Sequence, residues 1–112
     1  MMLGSLSVHF ATQETADSLR SVTAVRVAEI AGGPSLFGEL ATALELPDDF
    51  GHNWDALDES LRELETEVPL VLVVRNGAMR WQRAPEEMQA LVDVWLAAAA
   101  ARDHDLHLVF VW

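Results

Sequence analysis

The chain has 112 residues, enough for a single hydrophobic core but small for two domains, and its 51% hydrophobic and 22% charged content is that of a globular protein rather than a disordered one. Eighteen acids stand against seven bases, all arginine, so a formal charge of −11 argues against nucleic acid and anionic membrane as direct partners and for a basic protein surface. There is no cysteine, hence no disulfide framework, which fits a reducing cytoplasm.

In chain order, Met1 to Phe10 lacks the basic region and apolar run of a secretory signal, and no apolar run anywhere reaches the roughly 18 residues needed to span a bilayer. A soluble, cytoplasmic monomer is expected. Leu6, Val8 and Phe10 alternate with polar residues as a short strand would, and Thr12 to Ser21 reads as a helical turn or loop. Residues 1–23 are read as an N-terminal extension, strand or flap, ahead of a domain over residues 24–112.

Val25 and Val27 open a strand that Gly32 and Gly33 close. Pro34 suits a first helical position, and Leu36, Phe37, Leu40 and Leu44 recur at helical spacing up to Pro47. After an acidic stretch, Leu70 to Val74 is a continuous apolar run, the mark of a central strand buried on both faces. Asn76-Gly77 predicts a turn, and Met79 to Ala84 a loop or short helix with Trp81 as a lid on the core. Pro85 opens a helix whose inner face is Met88, Leu91, Val92, Trp95 and Ala99, and Leu106 to Trp112 forms a last strand. Strands separated by helices make an α/β layer: a small, mainly parallel three-stranded sheet packed against helices, with the extension as a candidate additional strand.

The stretch from Pro47 to Glu67 carries eight acids and one base, net −7 of the whole chain's −11. Its first half has turn chemistry, with Gly51 available for a positive φ. Asn53 is placed to cap a helix, and Asp55 faces the positive end of the helix dipole. Leu57, Leu61 and Leu64 then share a buried stripe with Trp54 at its edge, while Asp55, Glu59 and Glu63 fall on the solvent side. Like charges four residues apart mildly destabilise a helix, and only Arg62, within reach of Asp58, offsets them. A solvated helix face is the plainer account of such a run. An anionic surface shaped to enter a cationic cleft accounts also for the concentration of charge, its continuity from loop to helix and the large aromatic at its border.

Other chemistries fit less well. Asp55 and Glu59 share one exposed helix face, and a single helix cannot straddle a glycosidic bond. His104 and His107 point to opposite faces at the entry to the last strand and do not converge on a metal; His52 sits among Asp48, Asp49 and Asp55, either as a partner to those acids, as a contact to a bound protein, or at a hard-cation site. No Gly-rich phosphate loop, nucleophile elbow or cysteine nucleophile is present. No catalytic group, cofactor or metal is therefore expected.

The run Leu44 to Leu61, with its Leu-x-Leu-Pro and then Gly51, Asn53, Asp55, Ala56 and Leu57, followed by Pro69-Leu70-Val71-Leu72, resembles the barstar-like family of intracellular inhibitors of bacterial ribonucleases. The resemblance runs from about Val25 to Trp112. It implies an immunity-type protein that binds and blocks the basic active site of a secreted ribonuclease, or a ribonuclease-like toxin, in a one-to-one complex. Asp55 and Glu59 would be the main anionic anchors, Gly51 and Asn53 would shape the preceding loop, Trp54 would give apolar contact, and Asp49, His52, Asp58 and Glu63 would complete the surface. The family's type member has an aspartate at Glu59, a tryptophan at Asp58, a tyrosine at Asp49, and an acid on the later helix where this chain has alanines near Ala97 and Ala98. The alternatives are a non-inhibitory protein-interaction module and an immunity protein for a different basic toxin.

Overall fold

In the computed structural model, which describes residues 7–22, 24–33, 35–103 and 105–112, four strands form one parallel sheet: β1 (Val8–Ala11), β2 (Arg26–Ile30), β3 (Leu70–Val74) and β4 (Leu106–Val111), in the order β1-β4-β3-β2. Parallel neighbours need crossover connections, and these are almost always right-handed. The connection from β1 to β2 crosses the sheet one way, while those from β2 to β3 and β3 to β4 return the other way, so a constant hand puts their helices on opposite faces. One face accordingly carries α1 (Gln13–Ser18) and a 3-10 turn (Leu19–Ser21). The other carries α2 (Leu36–Ala43), α3 (Trp54–Glu63), α4 (Gly77–Arg83) and α5 (Pro85–Ala100).

This double cover explains the unbroken apolar run of β3. Leu70, Leu72 and Val74 join the larger core with Leu40, Leu57, Leu61, Leu91 and Trp95, whereas Val71 and Val73 turn to Ala16 and Leu19 beneath α1. Strand β4 divides in the same way, Leu106, Leu108 and Phe110 on the larger core and Val109 and Val111 on the smaller. A β-strand exposes alternate residues to alternate faces, so a strand covered on both sides is apolar nearly throughout, His107 of β4 being the buried polar exception.

Several expectations change in detail. The sheet has four strands rather than three, and the extension supplies the fourth: Val8 pairs with Leu108 and Ala11 with Val111. Thr12 to Ser21 is helical, Thr12 capping α1 by accepting from the Thr15 N–H. Leu6 and Pro34 lie outside the described residues; the second helix begins at Leu36, with Ser35 as its cap accepting from the Gly38 N–H at 3.2 Å. Ser35 suits that cap because its hydroxyl satisfies an otherwise orphaned donor. Asn76 takes a left-handed φ of 58° at the position before α4, which starts at Gly77, and its side chain donates to the Ala31 carbonyl rather than capping the helix. A Cβ on Gly77 would lie 2.9 Å from the Val111 carbonyl oxygen, so glycine lets the end of β4 pass close by. Trp81 is half-buried with its ring edge against Phe110, a lid on the core as read from its sequence setting.

Candidate functional site

Helix α3 is built as the acidic stretch requires. Asn53 is extended, and its Oδ1 accepts from the Ala56 N–H at 2.8 Å while its Nδ2 donates to the Gly51 carbonyl at 3.0 Å. One side chain thus ties the loop to the first helical turn. Leu57 and Leu61 are fully buried, so the inner face of the helix is anchored in the larger core. Leu64 lies one residue past the helix end and is half-buried, a weaker continuation of that stripe than its spacing suggests.

The C-terminus of α3 is held by Arg102, which follows α5. Its Nη1 donates to the carbonyls of Leu61 at 3.0 Å, Arg62 at 3.2 Å and Leu64, and its Nε and Nη2 fork onto Asp105. The hydrogen bonds from Arg102 hold the Asp105 carboxyl below its ordinary value, against the opposing effect of partial burial. A guanidinium here satisfies orphan carbonyls and places positive charge at the negative end of the helix dipole. No reading of the sequence singled out Arg102. Its partner carbonyls lie some forty residues away, and no local spacing announces them.

On the outer side, Asp55, Glu59 and Glu63 are all exposed, as expected, and Asp58 pairs with Arg62 at 2.9 Å. Asp49, Gly51, His52 and Asn53 are exposed on the preceding loop. Asp49, Gly51, Glu59 and Glu63 line a cleft of about 280 Å³ floored by Phe50 and Ala56. Four of the nine predicted site residues thus share one cleft; His52, Asn53, Asp55 and Asp58 do not line it, and Trp54 is half-buried, its ring 4.7 Å from that of Phe37 and edge-on to it.

The positive φ expected at Gly51 falls on His52, at 48°. Gly51 is needed for another reason: a Cβ there would lie 3.2 Å from Asn53 Nδ2 and 3.4 Å from Ala56 Cβ, crowding the cap. His52 makes no ion pair with the neighbouring acids among the described residues; its ring leans on Phe50 at 5.3 Å. His104 lies outside the described residues, and His107 is buried in β4, its Nδ1 3.4 Å from Nε2 of His9 in β1. That histidine contact escaped the sequence reading because it joins strands at opposite ends of the chain.

Charge is distributed unevenly. Arg20 and Arg75 hold Glu29, Arg75 also holds Asp17, Arg26 holds Glu45, Arg80 holds Glu39 and Arg102 holds Asp105. Among the described residues, Arg62 is the one arginine that pairs within the acidic stretch. A larger hollow of about 420 Å³ lies between β2 and α2, but its two carboxylates, Glu29 and Glu39, are both committed to arginines. Hydrogen bonds from Arg75, then Arg20, keep Glu29 below its ordinary carboxyl value despite partial burial. Among the described residues, no helix is long and apolar enough to cross a membrane, and no group of three or more ligating side chains is placed to hold a metal ion.

The fold is a single α/β layer with one parallel sheet, and its capped helix α3 carries exposed carboxylates beside a turn. The chain belongs to the barstar family: the family model described as Barstar (barnase inhibitor) matches residues 20–111. The match begins within the 3-10 turn and takes in every element from β2 onward, leaving β1 and α1 outside. No curated protein matches the chain at a significant level.

Proposed function

We propose that this protein is an immunity-type inhibitor that occupies the basic active site of a bacterial ribonuclease or ribonuclease-like toxin, one to one, in the cytoplasm of the cell that makes it. The carrying observation is the clustering of uncompensated charge: Asp49, Asp55, Glu59 and Glu63 have no ion-pair partner among the described residues, and although Glu86, Glu87 and Asp93 of α5 are likewise unpaired, the stretch from Pro47 to Glu67 holds net −7 of the chain's −11. Ribonuclease active sites bind phosphates with cations, and carboxylates fixed on a capped helix present negative charge to such a site with little ordering cost. Asp55 and Glu59 serve as the anionic anchors, with Asp49, Asp58 and Glu63 around them. Gly51, His52 and Asn53 set the shape of the loop, and the outer part of Trp54 adds apolar contact. The chain itself carries out no chemistry in this reading, and the inhibitor surface belongs to the domain over residues 24–112.

Titration calorimetry of the wild type, Asp55→Ala and Glu59→Ala against ribonucleases secreted by the same organism tests the reading. Removing one member of an ion pair buried on binding is expected to cost about 3–5 kcal/mol of affinity. Wild-type affinity in both variants would place the interface elsewhere.

A further inference from the structure

The two edges of the sheet are protected differently. Strand β2 carries Arg26 and Glu29, both engaged in ion pairs with neighbouring side chains, and charges on an edge strand discourage another chain from adding to it. Strand β1, at the opposite edge, has the sequence Val-His-Phe-Ala, and none of the first thirteen residues is Asp, Glu, Lys or Arg. No strand pairs with its outer side among the described residues. Phe10 and Trp112 are each 62% exposed and stand together, ring centroids 5.7 Å apart, with Phe10 stacked on the buried Phe110.

We propose that β1 is a self-association edge, where a second copy of this chain pairs antiparallel with β1 about a two-fold axis and covers the Phe10–Trp112 patch. Charge decides the occupant. With −11 on each molecule, copies repel wherever their acids meet, and β1 belongs to the longest run of the chain free of formal charge. A two-fold axis lets one edge satisfy its own twin, so a single uncharged strand closes the assembly at a dimer. Neither Phe10 nor Trp112 belongs to the acidic stretch, so each copy keeps its α3 surface for another partner, and the monomer expected from sequence becomes the low-concentration state. A four-residue strand and two aromatics per copy fall short of the roughly 1,600 Å² of a standard interface. Dissociation in about the micromolar to millimolar range is expected.

Sedimentation equilibrium of the wild type, Phe10→Lys and Trp112→Lys at increasing concentration tests this, with circular dichroism to confirm folding. The wild type should pass from monomer to dimer, and the outward-facing amide protons of Val8 and Phe10 should exchange more slowly as concentration rises. Each lysine variant should weaken the dimer by about tenfold or more, since like charges brought face to face oppose pairing. Should one variant fail to fold, the other decides. A wild type that stays monomeric throughout overturns the proposal, as does a dimer that both folded variants form as readily.

Discussion

Replacing Arg102 by methionine should be among the more damaging single changes in this protein, although the residue lies outside the acidic stretch. The side chain is 13% exposed and serves three helix-end carbonyls and both oxygens of Asp105. Hydrogen bonds to a charged group are worth about 1.5–3 kcal/mol each, but Nη1 has two protons for three carbonyls, and water can reach part of this helix end once the guanidinium is gone. Asp105, about a third exposed, recovers some of its own hydration. The net loss should be about 2–4 kcal/mol, a sizeable share of the roughly 5–15 kcal/mol that holds a typical domain folded. Urea denaturation would register it as a midpoint lowered by about 1–3 M. Arg102→Lys should recover less than half, because an ammonium cannot fork onto Asp105 and reach the carbonyls at the same time. A loss below about 1 kcal/mol for the methionine variant would show that the last turn of α3 is held by its leucines alone, and the reasoning would fail.

Asn53→Ala should destabilise the fold by about 1 kcal/mol and loosen the loop with it, seen as faster amide exchange at Ala56 in addition to a lower denaturation midpoint. Glu29 and Asp105 have folded-state pKa values below their ordinary 4.5 and 3.8, so their ion pairs contribute full stability above those values and lose it as pH falls through the lower folded ones; denaturation midpoints should hold from neutral pH to about 5 and drop below 4.5. Glu29→Gln should flatten that acid limb. The association rate with a basic ribonuclease should fall as salt rises, because the unpaired carboxylates of α3 are exposed and screened; stopped-flow mixing over a salt series measures it, and a flat response would remove the electrostatic argument.

Much of this architecture could be read from residue patterns because its signals are local. The β3 run announced a strand covered twice, Asn53 a cap, and Pro85 a helix start, since each depends on backbone chemistry within a few residues. The outer row of Asp55, Glu59 and Glu63 followed from helical periodicity alone. What stayed hidden depends on contacts distant along the chain. Four consecutive residues beginning at Val8 cannot reveal that they pair with β4, nor can Arg102 reveal that it serves α3. The left-handed residue at His52 was missed for a different reason: glycine is the easiest residue to place there, but packing against Asn53 and Ala56 had already claimed Gly51.

The pairing of β1 with β4 bears on the order in which the molecule can assemble. Strand β1 is synthesised before the other three strands but has no ladder to join until residues near 108 have emerged, because Val8 sits beside Leu108. Until then, the valines of β3 destined to lie under α1 have only the tethered N-terminal segment to shield them. Closing a loop of this length costs entropy before its contacts give anything back, so β1 docking belongs to the slow, late part of folding. A variant lacking the segment through Ser21 would therefore be expected to leave Val71, Val73 and Val109 open to chaperones and to its own copies, making permanent an exposure that the intact chain passes through only while it grows.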